Sequence, residues 1–122
     1  MSCAQCKGIA QEFDDRLARR ELRRYRRRGP SATTRRLLGA LRGAGIEGAS
    51  FIDVGGGVGA VQHALMAAGA SRGTNVDASG AYLAAAREEA VARGHADRMC
   101  YLEGDFVAVA SGLEPADVVT LD

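Results

Sequence analysis

Residues 51–59 join an apolar strand to a turn built mostly of glycine, FIDVGGGVG. An aspartate, Asp53, stands two positions before the first of the glycines Gly55, Gly57 and Gly59. Glycine adopts positive φ angles and, because it has no Cβ, lets a ligand come close to the backbone. Consecutive glycines also cannot continue a strand interior, so the chain must turn here. The pattern predicts a nucleotide-cofactor site with a carboxylate beside it.

Two further acids follow predicted strands. Asp77 ends a short strand over residues 73–77, and its two carboxylate oxygens can accept hydrogen bonds from both hydroxyls of a ribose. Asp105 and Phe106 belong to a GDF segment that follows the apolar strand 99–103. Taken alone, Asp77 at a strand end is more often a helix cap or a turn residue, and the GDF segment is as often a turn with a capping aspartate as a binding motif. The order of the two acids behind the glycine turn favours a ligand-binding role.

Two classes of cofactor fit this turn. Gly55, Gly57 and Ala60 satisfy the dinucleotide fingerprint G-x-G-x-x-G/A, and Asp77 lies near the expected distance downstream for holding a ribose. This match would predict a NAD(P)-dependent oxidoreductase. Against it, the Asp53 carboxylate would face a pyrophosphate docked at the helix N-terminus, which brings like charges together. A cationic ligand group suits the place better, and a glycine-rich turn without any ligand is the third alternative.

Four segments together resemble the motifs of class I S-adenosylmethionine-dependent methyltransferases. They are D-x-G-x-G-x-G at 53–59, VDAS at 76–79, GDF at 104–106 and DVVTLD at 117–122. The resemblance covers roughly residues 50–122. It implies the cofactor S-adenosyl-L-methionine, which offers an ammonium group where a dinucleotide offers phosphates.

The same resemblance implies a set of cofactor-binding residues. They are Asp53, Gly55, Gly57, Gly59, Asp77, Ala78, Asp105 and Phe106. In this assignment Asp77 accepts hydrogen bonds from the ribose and Asp105 from the adenine amino group, while Phe106 supplies a backbone N–H and an apolar surface for the ring. Methyl transfer from a sulfonium depends mainly on holding the reacting atoms in line. The sequence therefore assigns no catalytic residue, and it assigns no metal ligand.

The elements that must position these residues alternate between strand and helix. Strands are predicted at 51–54, 73–77, 99–103 and 116–121, and helices at 58–68, 80–93 and 106–111. Ser79 can cap the helix 80–93 and Gly94 can stop it. Such alternation implies an α/β fold, a Rossmann-like mainly parallel sheet with flanking helices, whose ligands bind beyond the carboxyl ends of the strands.

Burial can also be predicted from these patterns. The residues of helix 80–93 expected near one buried face are Leu83, Ala86, Ala90 and Val91. Cys100 is expected to be a small buried hydrophobe inside its strand. The strand 116–121, ADVVTL, is expected to be buried as well, as parallel strands generally are.

The organisation of the chain is predicted to be two-part. Residues 1–49 form a basic helical segment, and residues 50–122 form part of a cofactor-binding domain. The resembled domain has seven strands, and the sequence stops after the fourth, which would leave an apolar strand edge exposed. We therefore expect a truncated protein or a fragment.

The charge is distributed unevenly, although the whole chain carries a net +1. Residues 1–50 hold 12 basic residues against 5 acids, a net +7, whereas residues 51–122 hold 4 arginines against 10 acids, a net −6. Most of the positive charge lies in residues 11–28, whose apolar residues Phe13, Leu17, Leu22 and Tyr25 recur at helical spacing. An amphipathic helix is predicted there, followed by a second helix capped by Ser31 and broken by Gly43 and Gly45.

Three roles compete for the arginine-rich helix. It can be a solvated face whose apolar stripe packs on the sheet. It can also contact an anionic ligand or an acidic membrane surface. Nucleic-acid binding is the least favoured role, because the segment has little aromatic interleaving and no nucleic-acid module motif.

The cysteines indicate the compartment of the protein more than its chemistry. Cys3 and Cys6 form one C-x-x-C, but a tetrahedral zinc site needs two more ligands, for which His63 and His95 are the available histidines. Free thiols fit a reducing cytoplasm. The opening MSCAQCKG has no apolar signal-peptide core, and no span approaches twenty apolar residues.

The expected function is methyl transfer to a small-molecule acceptor by a bacterial type of enzyme. The N-terminal FD…YRRRGP and the following domain resemble proteins grouped with magnesium-protoporphyrin O-methyltransferases, which implies a tetrapyrrole-type carboxylate as acceptor. The alternatives are a NAD(P)-dependent oxidoreductase fragment and a non-catalytic module that binds an adenosyl ligand.

Overall fold

The computed structural model describes residues 15–122. Its helices are α1 (Asp15–Arg28), α2 (Ala32–Ala44), α3 (Ala60–Ala67), α4 (Gly80–Arg93) and α5 (Phe106–Val109). Its strands are β1 (Ser50–Val54), β2 (Arg72–Asp77), β3 (Met99–Glu103) and β4 (Val118–Leu121), and short 3₁₀ turns span Ala96–Arg98 and Ala110–Gly112. The predicted alternation of strands and helices is confirmed. Phe13, Cys3 and Cys6 lie outside the described residues.

The ends of the helices follow from their flanking residues. Ser79 caps α4 by accepting a hydrogen bond from the Tyr82 backbone N–H at 3.2 Å, and Gly94 ends it with φ 82°. Ser31 caps α2 in the same way by accepting from the backbone N–H of Thr34. This helix runs through Gly43, which the sequence predicted to break it, and ends at Gly45 with φ 88°. One glycine inside a helix lowers its stability without ending it.

The four strands form one parallel sheet in the order β3-β2-β1-β4. Phe51 of β1 lies opposite Gly73 of β2, and a Cβ at Gly73 would stand 2.1 Å from the Phe51 ring. The glycine in β2 is therefore required by the ring that packs over it. Two residue pairs further along, Asp53 lies between Asn75 of β2 and Thr120 of β4.

The main hydrophobic core lies between one face of the sheet and helices α2 and α3. Its buried members are Leu38, Ile46, Phe51, Val61, Leu65, Met66, Ala70 and Met99. Because side chains alternate along a strand, Phe51 and Asp53 point to the same face. The core thus lies directly beside the aspartate that precedes the glycine turn.

Helix α1 packs on α4 through a second, smaller cluster. Ala18, Leu22 and Tyr25 of α1 are buried with Val58, from the glycine turn, and Ala85 of α4. The predicted amphipathic helix is thus present within the described residues, and its apolar stripe covers the start of the sheet domain. The proposed division at residue 49 stays a prediction.

Ion pairs flank this contact. Arg19 of α1 binds Glu88 of α4 through two hydrogen bonds of 2.7 Å. Arg26 binds Glu89 at 2.8 Å, and Glu89 also accepts from Arg93 at 2.8 Å. Burial raises the pKa of the Glu89 carboxyl, but the hydrogen bonds from the two arginines outweigh it and lower that pKa. Two arginines of α1 are therefore used in packing the helix.

Three burial predictions are wrong. Val91 is 63% exposed, because α1 packs on the side of α4 that carries Ala85 and Glu89 and so turns Val91 away. Cys100 is exposed, and in β4 the side chain of Leu121 is 75% exposed. The register places Cys100 on the sheet face opposite the Phe51 core. Within residues 15–122 this second face is only partly covered.

Within the part of the chain that the structure describes, no helix has both the length and the apolar character needed to cross a membrane.

Candidate functional site

Acidic side chains gather where the strands end. Asp53 stands one residue before the end of β1, Asp77 and Glu103 are the last residues of β2 and β3, and Asp105 and Asp122 follow β3 and β4. In a parallel sheet these ends lie at one edge, which is where α/β sheets bind ligands. The predicted placement of Asp53, Asp77 and Asp105 at the carboxyl edge of the sheet agrees with the structure.

Asp53 is held by two side chains that the sequence did not single out. Its carboxylate has no exposed surface, and it accepts hydrogen bonds from Gln62 Nε2 at 2.9 Å and from Thr120 Oγ1 at 2.8 Å. Burial raises the pKa of Asp53 to about 6. The two hydrogen bonds oppose this rise, and the nearby charges of Asp122 and Asp77 add to it. Asp53 is therefore a buried acid whose charge depends on its donors.

The glycine turn has the conformation that its composition predicts. Gly55, Gly57 and Gly59 have φ angles of 67°, 58° and 91°. A Cβ on Gly55 would meet no atom within 4 Å, so the backbone at this point is open to a ligand. Gly56, which the motif leaves free, is the most constrained, because a Cβ there would stand 2.3 Å from both Asp53 Oδ2 and Gln62 Nε2.

Asp77 ties the glycine turn to the end of β2. Its Oδ2 accepts from the Gly57 backbone N–H at 3.2 Å, and its Oδ1 accepts from the Ser79 N–H at 2.8 Å. Burial raises the pKa of Asp77, and these backbone donors, with that of Ala78, oppose the rise. The carboxylate is only half-buried and keeps free lone pairs, so it can still accept from a ligand.

The GDF segment shows the capping role that was the alternative to ligand binding. Asp105 Oδ1 accepts from the Val107 backbone N–H at 3.1 Å and caps α5. Asp105 and Phe106 are both half-buried at the carboxyl edge, as is Ala78 after β2. Capping uses one oxygen of Asp105, and the second stays available to a ligand. The predicted roles of Ala78, Asp105 and Phe106 remain predictions.

Three residues at this edge were not assigned to the site from the sequence. Glu103 lies over the start of α4, since its Oε1 is 2.6 Å from where a Cβ on Gly80 would stand. Asp122 accepts a short hydrogen bond from the Thr34 hydroxyl, in the first turn of α2. Gln62 lies in the first turn of α3, and no sequence signal connects it to Asp53, because that contact depends on the path of the glycine turn.

The two histidines form a buried pair behind the turn. His63 Nε2 lies 2.9 Å from the Val58 carbonyl oxygen, and His63 Nδ1 lies 3.0 Å from His95 Nε2. The carbonyl can only accept, so His63 donates through Nε2 and accepts from His95. Burial lowers the pKa of His63 to about 4. Both rings thus serve the core, and the cysteines of the zinc alternative, Cys3 and Cys6, lie outside the described residues.

One other feature of the described residues, a cavity, lies away from this edge. A cavity of about 430 Å³ is lined by Ser50, Arg72, Arg98 and residues 112–116, at the amino ends of the strands. Among residues 15–122, no three histidine, cysteine or carboxylate side chains are grouped in a way that could hold a metal ion. The carboxyl edge is therefore the candidate site.

Comparisons with known proteins show which solved structures have a similar fold. No protein-family model and no curated protein match the chain. Among solved structures, a SAM-dependent methyltransferase from Geobacter sulfurreducens in complex with S-adenosyl-L-homocysteine is 28% identical with a TM-score of 0.54, over 63% of this chain and 30% of that chain. One from Thiobacillus denitrificans, in complex with the same ligand, is 27% identical with a TM-score of 0.55, over 73% and 35%. An RNA methyltransferase from Salinibacter ruber is 24% identical with a TM-score of 0.61, over 75% and 57%.

The predicted resemblance to class I S-adenosylmethionine-dependent methyltransferases is confirmed at the level of the fold. The chain spans about a third of the length of the Geobacter and Thiobacillus structures that it matches, 30% and 35%. The third neighbour, being less similar in sequence, adds evidence on the fold alone.

Proposed function

We propose that this chain is the cofactor-binding part of an S-adenosylmethionine-dependent methyltransferase. One observation carries the proposal. The glycine turn opens at a sheet edge that holds the carboxylates of Asp53, Asp77 and Asp105, and a Cβ added to Gly55 would meet no atom within 4 Å there. An edge of this charge suits a ligand with a cationic end and hydroxyl donors.

The proposed roles follow the order of the acids along the edge. Asp53 attracts the ammonium group by its charge, since it has no exposed surface for direct contact. The turn at Gly55, Gly57 and Gly59 accepts the ligand against its backbone. Asp77, which is half-buried, accepts from the ribose hydroxyls. Ala78, Asp105 and Phe106 hold the adenine ring.

The electrostatics disfavour a nicotinamide dinucleotide. A pyrophosphate needs unpaired backbone N–H groups at the glycine turn and positive potential around them. Here the N–H of Gly57 is donated to Asp77, and Asp53 and Asp77 lie close enough to raise the pKa of Asp53. A dianionic pyrophosphate would be repelled by both carboxylates, whereas an ammonium would be attracted.

Little further chemistry is required of the protein. S-adenosylmethionine supplies a methyl group on a sulfonium, which is a good leaving group. The chain's part is then to fix the position and orientation of the cofactor, and well-oriented reactants account for a large share of catalytic rate. No described residue is assigned as a general base.

The acceptor is proposed from the sequence. The N-terminal segment that resembles magnesium-protoporphyrin O-methyltransferases supports a small-molecule acceptor, with a tetrapyrrole-type carboxylate as the specific case. A cytoplasmic location is part of the same proposal, and the exposed free thiol of Cys100 supports it, because such a thiol persists in a reducing compartment.

Calorimetry with the full chain tests the cofactor. We expect S-adenosyl-L-homocysteine to bind and NADH not to bind. The variant Asp77→Asn should weaken binding of S-adenosyl-L-homocysteine by roughly 10- to 100-fold, since hydrogen bonds to a charged group are worth about 1.5–3 kcal/mol. The control Asp97→Asn changes an exposed aspartate in the 3₁₀ turn before β3 and should bind normally. Binding of NADH alone would overturn the proposal, and equal affinities of the two variants would remove Asp77 from the site.

A further inference from the structure

Helix α1 presents three different faces. Its buried residues are Ala18, Leu22 and Tyr25. Beside them, Arg19 and Arg26 form the ion pairs with α4. The remaining face carries five exposed arginines, here called the arginine stripe: Arg16, Arg20, Arg23, Arg24 and Arg27. Arg28, which is also exposed, lies about 100° around the helix from the centre of the stripe. At about 100° per residue, the centre of the stripe lies opposite the centre of the buried face.

Within residues 15–122 the charge of the arginine stripe is not neutralised by ion pairs. Among residues 15–122, none of its five side chains forms an ion pair, and the two acids of α1, Asp15 and Glu21, fall outside its arc. Neighbours in the stripe are three or four positions apart, which brings like charges together on the helix surface and opposes helix formation. A polyanion lying along the stripe would remove that repulsion.

The structure bears on two of the roles that the sequence left open for this helix, the contact with a membrane surface and the contact with nucleic acid. A helix that binds a membrane surface inserts an apolar face. In α1 the apolar residues Ala18, Leu22 and Tyr25 are already buried against the sheet domain, and the stripe itself has none. Single-stranded nucleic acid is held largely by stacking of bases on aromatic side chains. The stripe carries no aromatic residue, so contact with a charged backbone alone is what it can provide.

The dimensions of the stripe match a nucleic-acid backbone. Arg16 and Arg27 are 11 positions apart, which corresponds to about 16 Å along a helix. One strand of a double helix presents a phosphate every ~3.4 Å of its axis, or about five phosphates over that length. Arginine binds phosphate through its planar fork of N–H donors. We propose that the arginine stripe is a docking surface for the phosphate backbone of a double-stranded nucleic acid, read without sequence preference.

This surface is separate from the carboxyl edge. The stripe faces away from the sheet domain, whereas Ala18 and Leu22 on the opposite side of α1 cluster with Val58 of the glycine turn. A duplex bound to the stripe is therefore assigned a docking role and is not the methyl acceptor. The inference does not depend on the cofactor, and its test uses none.

The test is the salt dependence of binding to a fluorescent 20-base-pair DNA duplex, measured by anisotropy with the full chain. Five phosphate contacts predict a slope of about −4.5 for log K against log salt, or a loss of about 500-fold in affinity between 50 and 200 mM salt. The variant Arg20→Gln, Arg23→Gln, Arg27→Gln should reduce the slope to about −1.8. Glutamine has a similar helix propensity to arginine, so the helix should persist, which circular dichroism checks.

A matched variant controls for net charge. Arg36, Arg42 and Arg87 are exposed arginines outside the stripe, and changing all three to glutamine removes the same charge. We expect this control to keep the wild-type slope. Equal slopes for the two variants, or no binding to the duplex at 50 mM salt, would overturn the proposal. Tighter binding to single-stranded DNA of the same length, or to phosphatidylserine vesicles, would also overturn it in favour of a strand or a membrane.

Discussion

Replacing Thr120 by valine should raise the pKa of Asp53 and make the stability of the protein depend on pH in a new range. Valine keeps the shape of threonine but removes the hydroxyl that donates to Asp53 Oδ1 at 2.8 Å. A hydrogen bond to a charged group is worth about 1.5–3 kcal/mol, and 1.36 kcal/mol corresponds to one pKa unit. The pKa of Asp53, raised to about 6 in the native protein, should therefore rise by roughly one to two units.

The sign of the stability change follows from linkage. Asp53 binds its proton more tightly in the folded protein than in the unfolded chain, where its pKa is 3.8. Unfolding free energy therefore decreases as pH rises from 3.8 to the folded pKa, and stays level above it. In Thr120→Val this decrease should continue to about pH 7–8, because the folded pKa is higher. The variant should be about 1.5–3 kcal/mol less stable at pH 8, with most of the difference gone at pH 4.

Two measurements check this expectation. Denaturant unfolding at several pH values gives the difference in stability between variant and native protein, in which all groups common to both cancel. The carboxyl ¹³C shift of Asp53, followed by NMR, gives its pKa directly. Thr120→Ser keeps the hydroxyl and should behave like the native protein. A loss of stability in Thr120→Val that is the same at pH 4 and pH 8 would refute the reasoning, since it would reflect packing alone.

Three further outcomes follow from buried contacts. In the native protein, His63 should lower the unfolding free energy by up to about 3 kcal/mol as pH falls from 6.5 to its folded pKa of about 4. His63→Gln should remove this pH dependence, which denaturant unfolding at several pH values measures. Gly56→Ala should destabilise by roughly 2–3 kcal/mol through overpacking, and Gly55→Ala, which is strained but unobstructed, by about 1 kcal/mol, as compared by thermal unfolding. Glu89→Gln should cost about 2 kcal/mol, and Glu88→Gln clearly less because its ion pairs are exposed to solvent, as measured by the same method.

The elements could be predicted where local residues decide them. Helix α4 has the predicted bounds, because Ser79 and Gly94 supply its cap and its stop within the chain itself. Helix α3 begins two residues later than predicted, at Ala60, because Gly59 takes a left-handed conformation and Val58 packs against α1. Local propensity cannot reveal a packing partner from a distant segment.

Three acids of the candidate site, Asp53, Asp77 and Asp105, could be predicted from the sequence, whereas the side chains that hydrogen-bond to Asp53 could not. Asp53, Asp77 and the glycines follow a pattern of spacing that the sequence displays directly. Gln62 and Thr120 reach Asp53 only because α3 folds back over β1 and β4 lies beside it in register. The exposure of Cys100 likewise depends on which elements cover each face of the sheet. Contacts of this kind are set by the fold, so they become visible only with the structure.

The charges at the carboxyl edge determine which charge a bound ligand group can carry. The pKa of Asp53 is raised by its burial and further by Asp122 and Asp77, so this acid is only partly ionised near pH 6. A cationic ligand group nearby favours the charged carboxylate and lowers that pKa. Binding of an ammonium at this edge should then release a proton below pH 7, whereas a phosphate would raise the pKa and take one up. Calorimetry of S-adenosyl-L-homocysteine binding at pH 6 in two buffers of different ionisation enthalpy measures the sign of this proton exchange. Proton uptake would show that Asp53 does not face the ligand's cation.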